Sequence, residues 1–264
     1  MPLTRGFLKS VPVKDSERKV VGIPLYTNFD SLDVLGPFQT FIMTGGRLEP
    51  KLLAESMSPV RSYEGVEIKP HCTFDDTKSL DVLFVPGGIL LEDILGTDAP
   101  DDNPLLAFIR RIGGPGKEAG PMLITSVCTG ALFLAASGLL QGFRATTHWN
   151  YKSILALFPG VTVADDYPRF VIDANRITGA GISSGLDEAM AIVALLLGEQ
   201  TARTGQLTMQ YAPDPPFRDG DPSEASPTVL FEVTNSMREG VARTAAGFQD
   251  YIQKWGDVIK TSQL

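Results

Sequence analysis

The segment MLITSVCTGALFLAA (residues 122–136) decides the architecture expected of this chain. Met122 to Ser126 is a short apolar run of the kind that fills a strand buried on both faces, and Thr129 to Ala136 is a run of small and apolar residues suited to a closely packed helix. Only Val127 and Cys128 separate the two. The chain is therefore expected to turn sharply there and to present Cys128 at the turn, much as a nucleophile elbow presents a serine.

The same grammar extends outward in both directions. KVVGIPLY (19–26) reads as a buried first strand leading into a helix over 32–44, and residues 51–55 and 66–70 read as a second strand and a short edge strand. DVLFV (81–85), stopped by Pro86, Gly87 and Gly88, has the continuous apolar character of a central parallel strand, and a helix over 104–112 follows. Beyond the elbow come a strand over 144–147, helices over 150–157 and 184–198, and irregular strands at 161–164 and 170–177. Sustained alternation of this kind predicts an α/β fold: a doubly wound, mostly parallel sheet sandwiched by helices, with ligands bound outside the carboxyl ends of its strands.

Residues 1–18 read as a loose extension, 19–211 as the α/β domain, and APDPPFRDGDPSEASP (212–227) as a proline-rich arm. In the remainder, 228–264, Leu230, Val233, Met237, Val241, Phe248, Ile252, Trp255 and Ile259 recur at three- and four-residue spacing. That stripe predicts an amphipathic helix packing on its own domain or on a subunit partner.

Composition removes several function classes. The 264 residues carry 23 Lys and Arg against 31 Asp and Glu, a formal net charge of −8, so no basic cluster exists to displace counterions from a nucleic acid. No apolar run approaches the roughly 20 residues of a membrane span, and the first residues lack the apolar core of a signal peptide, so a cytoplasmic protein is expected. The two cysteines, Cys72 and Cys128, are expected to be free thiols, and with only His71 and His148 as imidazoles no metal site is expected.

Cys128 is the residue with chemical context. The expected helix beyond it directs a positive dipole end and free N–H groups at the thiol, which predicts a pKa below that of an ordinary cysteine. Cys72, beside His71, has no such context and reads as packing. Asp33, where the loop after the first strand enters a helix, is either a helix-start residue or a cleft acid; beside the thiol its pKa would rise and it would serve as a general acid. Gly87 and Gly88 allow close backbone approach, and Gly88 with Thr129 is the expected oxyanion-type hole. Ile89 follows the glycines, and His148 ends the next strand, facing the cleft or satisfying a backbone partner.

Together, VGIPLYTNFDSLDVLGP (21–37), DVLFVPGG (81–88), TSVCTGALFLAASGLLQG (125–142), RATTHW (144–149) and TGAGISSGLDEAM (178–190) resemble the ThiJ/PfpI superfamily, and with QYAPDPPF (210–217) its isonitrile hydratase branch. The resemblance implies a flavodoxin-like, class I glutamine amidotransferase-like sandwich that forms a homodimer and uses no metal or organic cofactor. It places the nucleophile at Cys128, the acid at Asp33, a neighbouring hydroxyl at Thr129 and a backbone donor at Gly88. It implies addition of water to a small-molecule isonitrile to give an N-substituted formamide through a thioimidate on Cys128. A cofactor-free hydration of glyoxal-like electrophiles and a non-enzymatic peroxide-sensing cysteine are the alternatives.

Overall fold

The computed structural model describes residues 18–95, 98–114 and 120–261. The expected N-terminal extension lies almost wholly outside them. Strands in chain order are β1 (Lys19–Pro24), β2 (Leu48–Ala54), β3 (Val60–Arg61), β4 (Glu67–Ile68), β5 (Cys72–Thr73), β6 (Val82–Val85), β7 (Leu123–Ser126), β8 (Arg144–Ala145), β9 (Thr162–Val163), β10 (Phe170–Asp173) and β11 (Arg176–Gly179). Helices are α1 (Ser31–Ile42), α2 (Pro104–Gly113), α3 (Gly130–Ala136), α4 (Lys152–Leu155), α5 (Ser184–Leu197), α6 (Glu199–Thr208) and α7 (Pro227–Thr261).

Seven strands form the main sheet in the order β10-β11-β7-β6-β1-β2-β5, parallel except for the β10–β11 hairpin. The expected α/β architecture is thus present. Every residue of β6, β7 and β11 is buried, which is why their sequences read as near-continuous apolar runs rather than alternating ones. Helices α1 and α5 cover one face, and α2, α3, α4 and α7 the other.

Three sequence expectations are corrected here. Residues 144–147 do not form a strand of the main sheet; only Arg144–Ala145 is extended, paired with β9 in a separate ladder, and β11 takes the place beside β7. The edge strand expected at 66–70 pairs with β3 instead, and β5 forms the sheet edge. Residues 170–177 are two strands, because Ala174 adopts a left-handed φ of 50° and turns the chain back on itself.

Helix α7 turns its apolar face to the core: Met237, Val241, Ile252 and Trp255 are half-buried against it. Phe248 is fully buried and meets Phe158 edge-on, and Tyr251 is buried beside Arg110. The middle of α7 grips the short 3-10 turn Leu91–Ile94: Thr244 donates to Glu92 Oε2 at 2.9 Å and Arg243 pairs with its Oε1 at 3.3 Å. Ile259 lies beyond the described side chains. Among the described residues no helix is long and apolar enough to cross a membrane.

Candidate active site

Because β1, β6, β7 and β11 run parallel, their carboxyl ends open on one cleft, and each contributes a loop to it. The β7 loop is the elbow. Cys128 holds φ at 55°, a left-handed conformation costing a residue with a side chain about 1–3 kcal/mol, and the surroundings enforce it. Its N–H donates to Ala180 O at 2.8 Å, and its carbonyl accepts from Thr147 Oγ1 at 2.7 Å. Gly87 permits the close approach of the β6 loop, since a Cβ there would stand 2.6 Å from Thr129 N and 2.8 Å from Cys128 Cβ.

Asp33 lies in the first turn of α1, but the N-cap is Asp30, whose side chain accepts from Leu32 N at 3.0 Å. Asp33 is therefore free of that duty and points inward with 0% exposure. Its Oδ2 accepts from Gly87 N at 2.8 Å, and its Oδ1 has no partner. Burial pushes its pKa well above the carboxylate range and Asp30 adds to the rise, against the Gly87 N–H. Burial thus favours the protonated acid, and Gly87 bridges Asp33 to the elbow.

Thr129 and Gly88 lock onto each other. Gly88 N donates to Thr129 Oγ1, and that hydroxyl donates to Gly88 O, both at 2.9 Å. The Gly88 N–H expected to meet substrate is therefore already taken, which corrects the oxyanion-hole reading of that group. The backbone N–H groups of Ile182 and Thr129 lie near enough to the sulfur to favour its thiolate, against burial. Ile89 donates its N–H to Asn28 O at 3.1 Å and leaves its side chain partly exposed.

The thiol does not behave as the helix-dipole expectation required. Cys128 is 6% exposed, and burial pushes its pKa well above the ordinary cysteine value, reinforced by Asp33 and opposed by the Ile182 and Thr129 N–H groups. Helix α3 has only seven residues, too short for its dipole to offset desolvation. Desolvation thus favours the uncharged forms of both the thiol and the acid.

His148 resolves to the backbone-partner alternative. Its Nδ1 accepts from Asn150 N at 3.3 Å, its ring packs against Gly181, and burial lowers its pKa to about 4. It is uncharged at neutral pH. Cys72 sits on β5, at the sheet edge and away from the elbow, while His71 stacks on Phe38 and accepts from Leu52 N. Both cysteines are free, and among the described residues no acidic, histidine or cysteine cluster has metal-binding geometry.

Sequence reasoning passed over three contributors. Tyr26, at the end of the first strand, is buried against Phe133, donates to Pro86 O at 3.1 Å and lies in the field of Asp33 and Cys128. Ile182 supplies a backbone group, which side-chain chemistry does not reveal. Glu188 is 0% exposed, and burial drives its pKa well up, with Asp33 adding to the rise and the Ser126 backbone opposing it. Its signal was present: it occupies the buried α5 stripe that also holds Gly185, Ala189, Ile192 and Leu196.

A family model, the DJ-1/PfpI family, matches residues 19–195, from β1 through most of α5. The chain belongs to the DJ-1/PfpI family. Among curated relatives of this DJ-1/PfpI chain, isonitrile hydratase of Pseudomonas putida is 38% identical over 212 residues, covering 80% of this chain and 87% of that one. The HTH-type transcriptional regulator GbdR of Pseudomonas aeruginosa is 24% identical over 203 residues, 71% of this chain but 49% of the regulator. The solved structure of a ThiJ/PfpI family protein from Pseudomonas syringae superposes with a TM-score of 0.78 at 31% identity, covering 93% of this chain and 98% of that one. That span is too long to leave α7 out. Drosophila melanogaster DJ-1beta shares the fold, with a TM-score of 0.62 at 20% identity over 74% of this chain and 100% of that one.

Proposed function

We propose that this chain adds water to isonitriles, giving N-substituted formamides. The observation that carries the reading is the match along 87% of the Pseudomonas putida isonitrile hydratase, within which a strained, buried Cys128 sits beside a buried Asp33 whose pKa is raised.

The neutral pair suits a neutral substrate. As Cys128 Sγ attacks the terminal carbon of R–N≡C, Asp33 delivers its proton to that carbon and takes up the proton the thiol gives. The product is the thioimidate R–N=CH–S–Cys128, and no net charge has entered a desolvated cleft. Water then adds to the same carbon while one of its protons ends on nitrogen. Collapse expels the Cys128 thiol and leaves R–NH–CHO, so that substrate plus water equals product. The N–H groups of Ile182 and Thr129 steady the sulfur as negative charge develops on it during attack and expulsion.

A thiol with only 6% of its residue surface exposed argues against the peroxide-sensor alternative, because oxidation selects accessible cysteines. The cytoplasmic location expected from the sequence and the homodimer implied by the resemblance remain part of this reading. The test is purified protein with cyclohexyl isonitrile, followed by mass spectrometry. Accumulation of N-cyclohexylformamide that Cys128→Ala abolishes supports hydration. Absence of formamide from wild type with its thiol reduced overturns it.

A further inference from the structure

The Ile182 N–H that faces the Cys128 sulfur is carried by Gly181–Ser183, the turn between β11 and α5. Ala180, just before it, is fixed twice: its carbonyl accepts from Cys128 N at 2.8 Å, and its N–H donates to Arg169 O at 2.9 Å. Past that point the polar side-chain restraints come from the surface. Arg169 Nη1 donates to Ser183 Oγ at 3.0 Å, and its Nε donates to Asp187 Oδ2 at 2.7 Å. Ser183 is the N-cap of α5 yet makes no capping hydrogen bond, because Arg169 engages its hydroxyl. The other oxygen of Asp187 accepts from Tyr211 Oη at 2.7 Å. Tyr211 immediately precedes the proline-rich arm, and its own carbonyl accepts from Gln206 Nε2 of α6 at 3.2 Å.

An isolated ion pair at such exposure adds little to stability. This one is different in placement: one carboxylate ties the first turn of α5 at once to the β10 side of the sheet and to the arm. We propose that Arg169, Asp187 and Tyr211 are positioning residues, a clip that holds the Gly181–Ser183 turn so that the Ile182 N–H stays aimed at the Cys128 sulfur. The clip makes the strength of the nucleophile depend on whether the arm is seated. Tyr211 is well suited to the task, since burial and Asp187 push its pKa up to about 12 and keep it a donor throughout the working range.

The inference rests on Cys128 being the reacting group of the proposed hydratase, but its main readout does not need turnover. The titratable groups facing the sulfur are Asp33 and Asp30 from α1, Tyr26 from the end of β1, and Tyr151 from the turn after β8. Tyr211→Phe changes none of them and alters no charge. In a Cys72→Ser background, iodoacetamide alkylation of Cys128 is followed against pH for the parent, Tyr211→Phe, Asp187→Asn and Asp187→Glu, together with thermal unfolding and isonitrile turnover.

The clip predicts that the alkylation midpoint of Tyr211→Phe and Asp187→Asn rises by about half a pH unit or more, as expected when a hydrogen bond to thiolate is weakened. It also predicts that kcat falls while KM holds, and that Asp187→Glu recovers part of both. Unchanged midpoints overturn the proposal, as does faster alkylation at every pH with a lowered Tm and no shift of midpoint, the mark of simple loosening. A parent that alkylates normally but makes no formamide refutes the hydratase reading, and the midpoint shift still decides the clip.

Discussion

On the β1 and β6 side of Cys128, the cleft wall is tied together by buried groups: Asp33 holds Gly87, Thr129 holds Gly88 through both its N–H and its carbonyl, and Tyr26 holds Pro86. On the β11 side, the turn carrying the Ile182 N–H is tied by Arg169 and Asp187, which remain partly exposed to water. The first wall sets proton affinities by desolvation. The second supplies a backbone donor whose aim depends on surface contacts. Damage to the buried wall should therefore cost both folding and catalysis, and damage to the surface clip should cost catalysis alone.

The largest effect is expected at Asp33. Asp33→Asn keeps an acceptor for Gly87 but cannot deliver the proton, so kcat should fall about 10²- to 10⁴-fold, roughly 3–5 kcal/mol in the barrier. The same residue sets a pH dependence of defined sign. Its folded pKa is raised, so its contribution to stability is full below the ordinary carboxylate range and is lost as pH rises toward the elevated value. Turnover should fall in the same direction as the proton is lost. Urea unfolding at several pH values should show that slope in wild type and a flatter one in Asp33→Asn.

Next come the contacts that fasten the buried wall. Gly87→Ala drives a Cβ into Thr129 N and Cys128 Cβ, which are close to the backbone and cannot swing away, and should cost about 1–3 kcal/mol in urea unfolding. Thr129→Val keeps the shape but leaves the Gly88 N–H and carbonyl without their partner, at a similar cost of about 1–3 kcal/mol. Both should slow turnover as well. A loss of activity in either variant with stability untouched would break the distinction between the walls.

The smallest effect is expected where α7 meets the 3-10 turn after the glycine loop. Arg243 is 62% exposed in its pair with Glu92, so Arg243→Ala should change unfolding free energy by less than about 1 kcal/mol. Glu92 keeps its hydrogen bond from Thr244 in that variant. Turnover close to wild type is the expected companion result.

These walls were unequally legible in the sequence. The elbow reads directly from residues 122–136, because a buried strand and a small-residue helix with two residues between them leave one way to turn. Asp33 is legible as a residue of the first turn of α1, while Asp30 takes the capping role that the sequence left open for it. The placement of β11 beside β7 is not legible: that pairing joins residues about 50 apart, and the nearer segment 144–147 offered a plausible strand of its own. The rise in the Cys128 pKa was hidden for a related reason. A helix start is visible in sequence, but how much of the chain closes over a thiol is a property of the assembled core. The clip escapes notice because Arg169, Asp187 and Tyr211 come from three separate segments, two of them loops.

The central claim, that Cys128 attacks the isonitrile carbon, is tested most directly by quenching wild-type protein in acid during turnover with cyclohexyl isonitrile and mapping its mass by peptide. The account predicts that the Cys128 peptide, and not the Cys72 peptide, gains the mass of one isonitrile and loses it as substrate is exhausted. Steady formamide production with no adduct on Cys128, or the same production by Cys128→Ala, would contradict it.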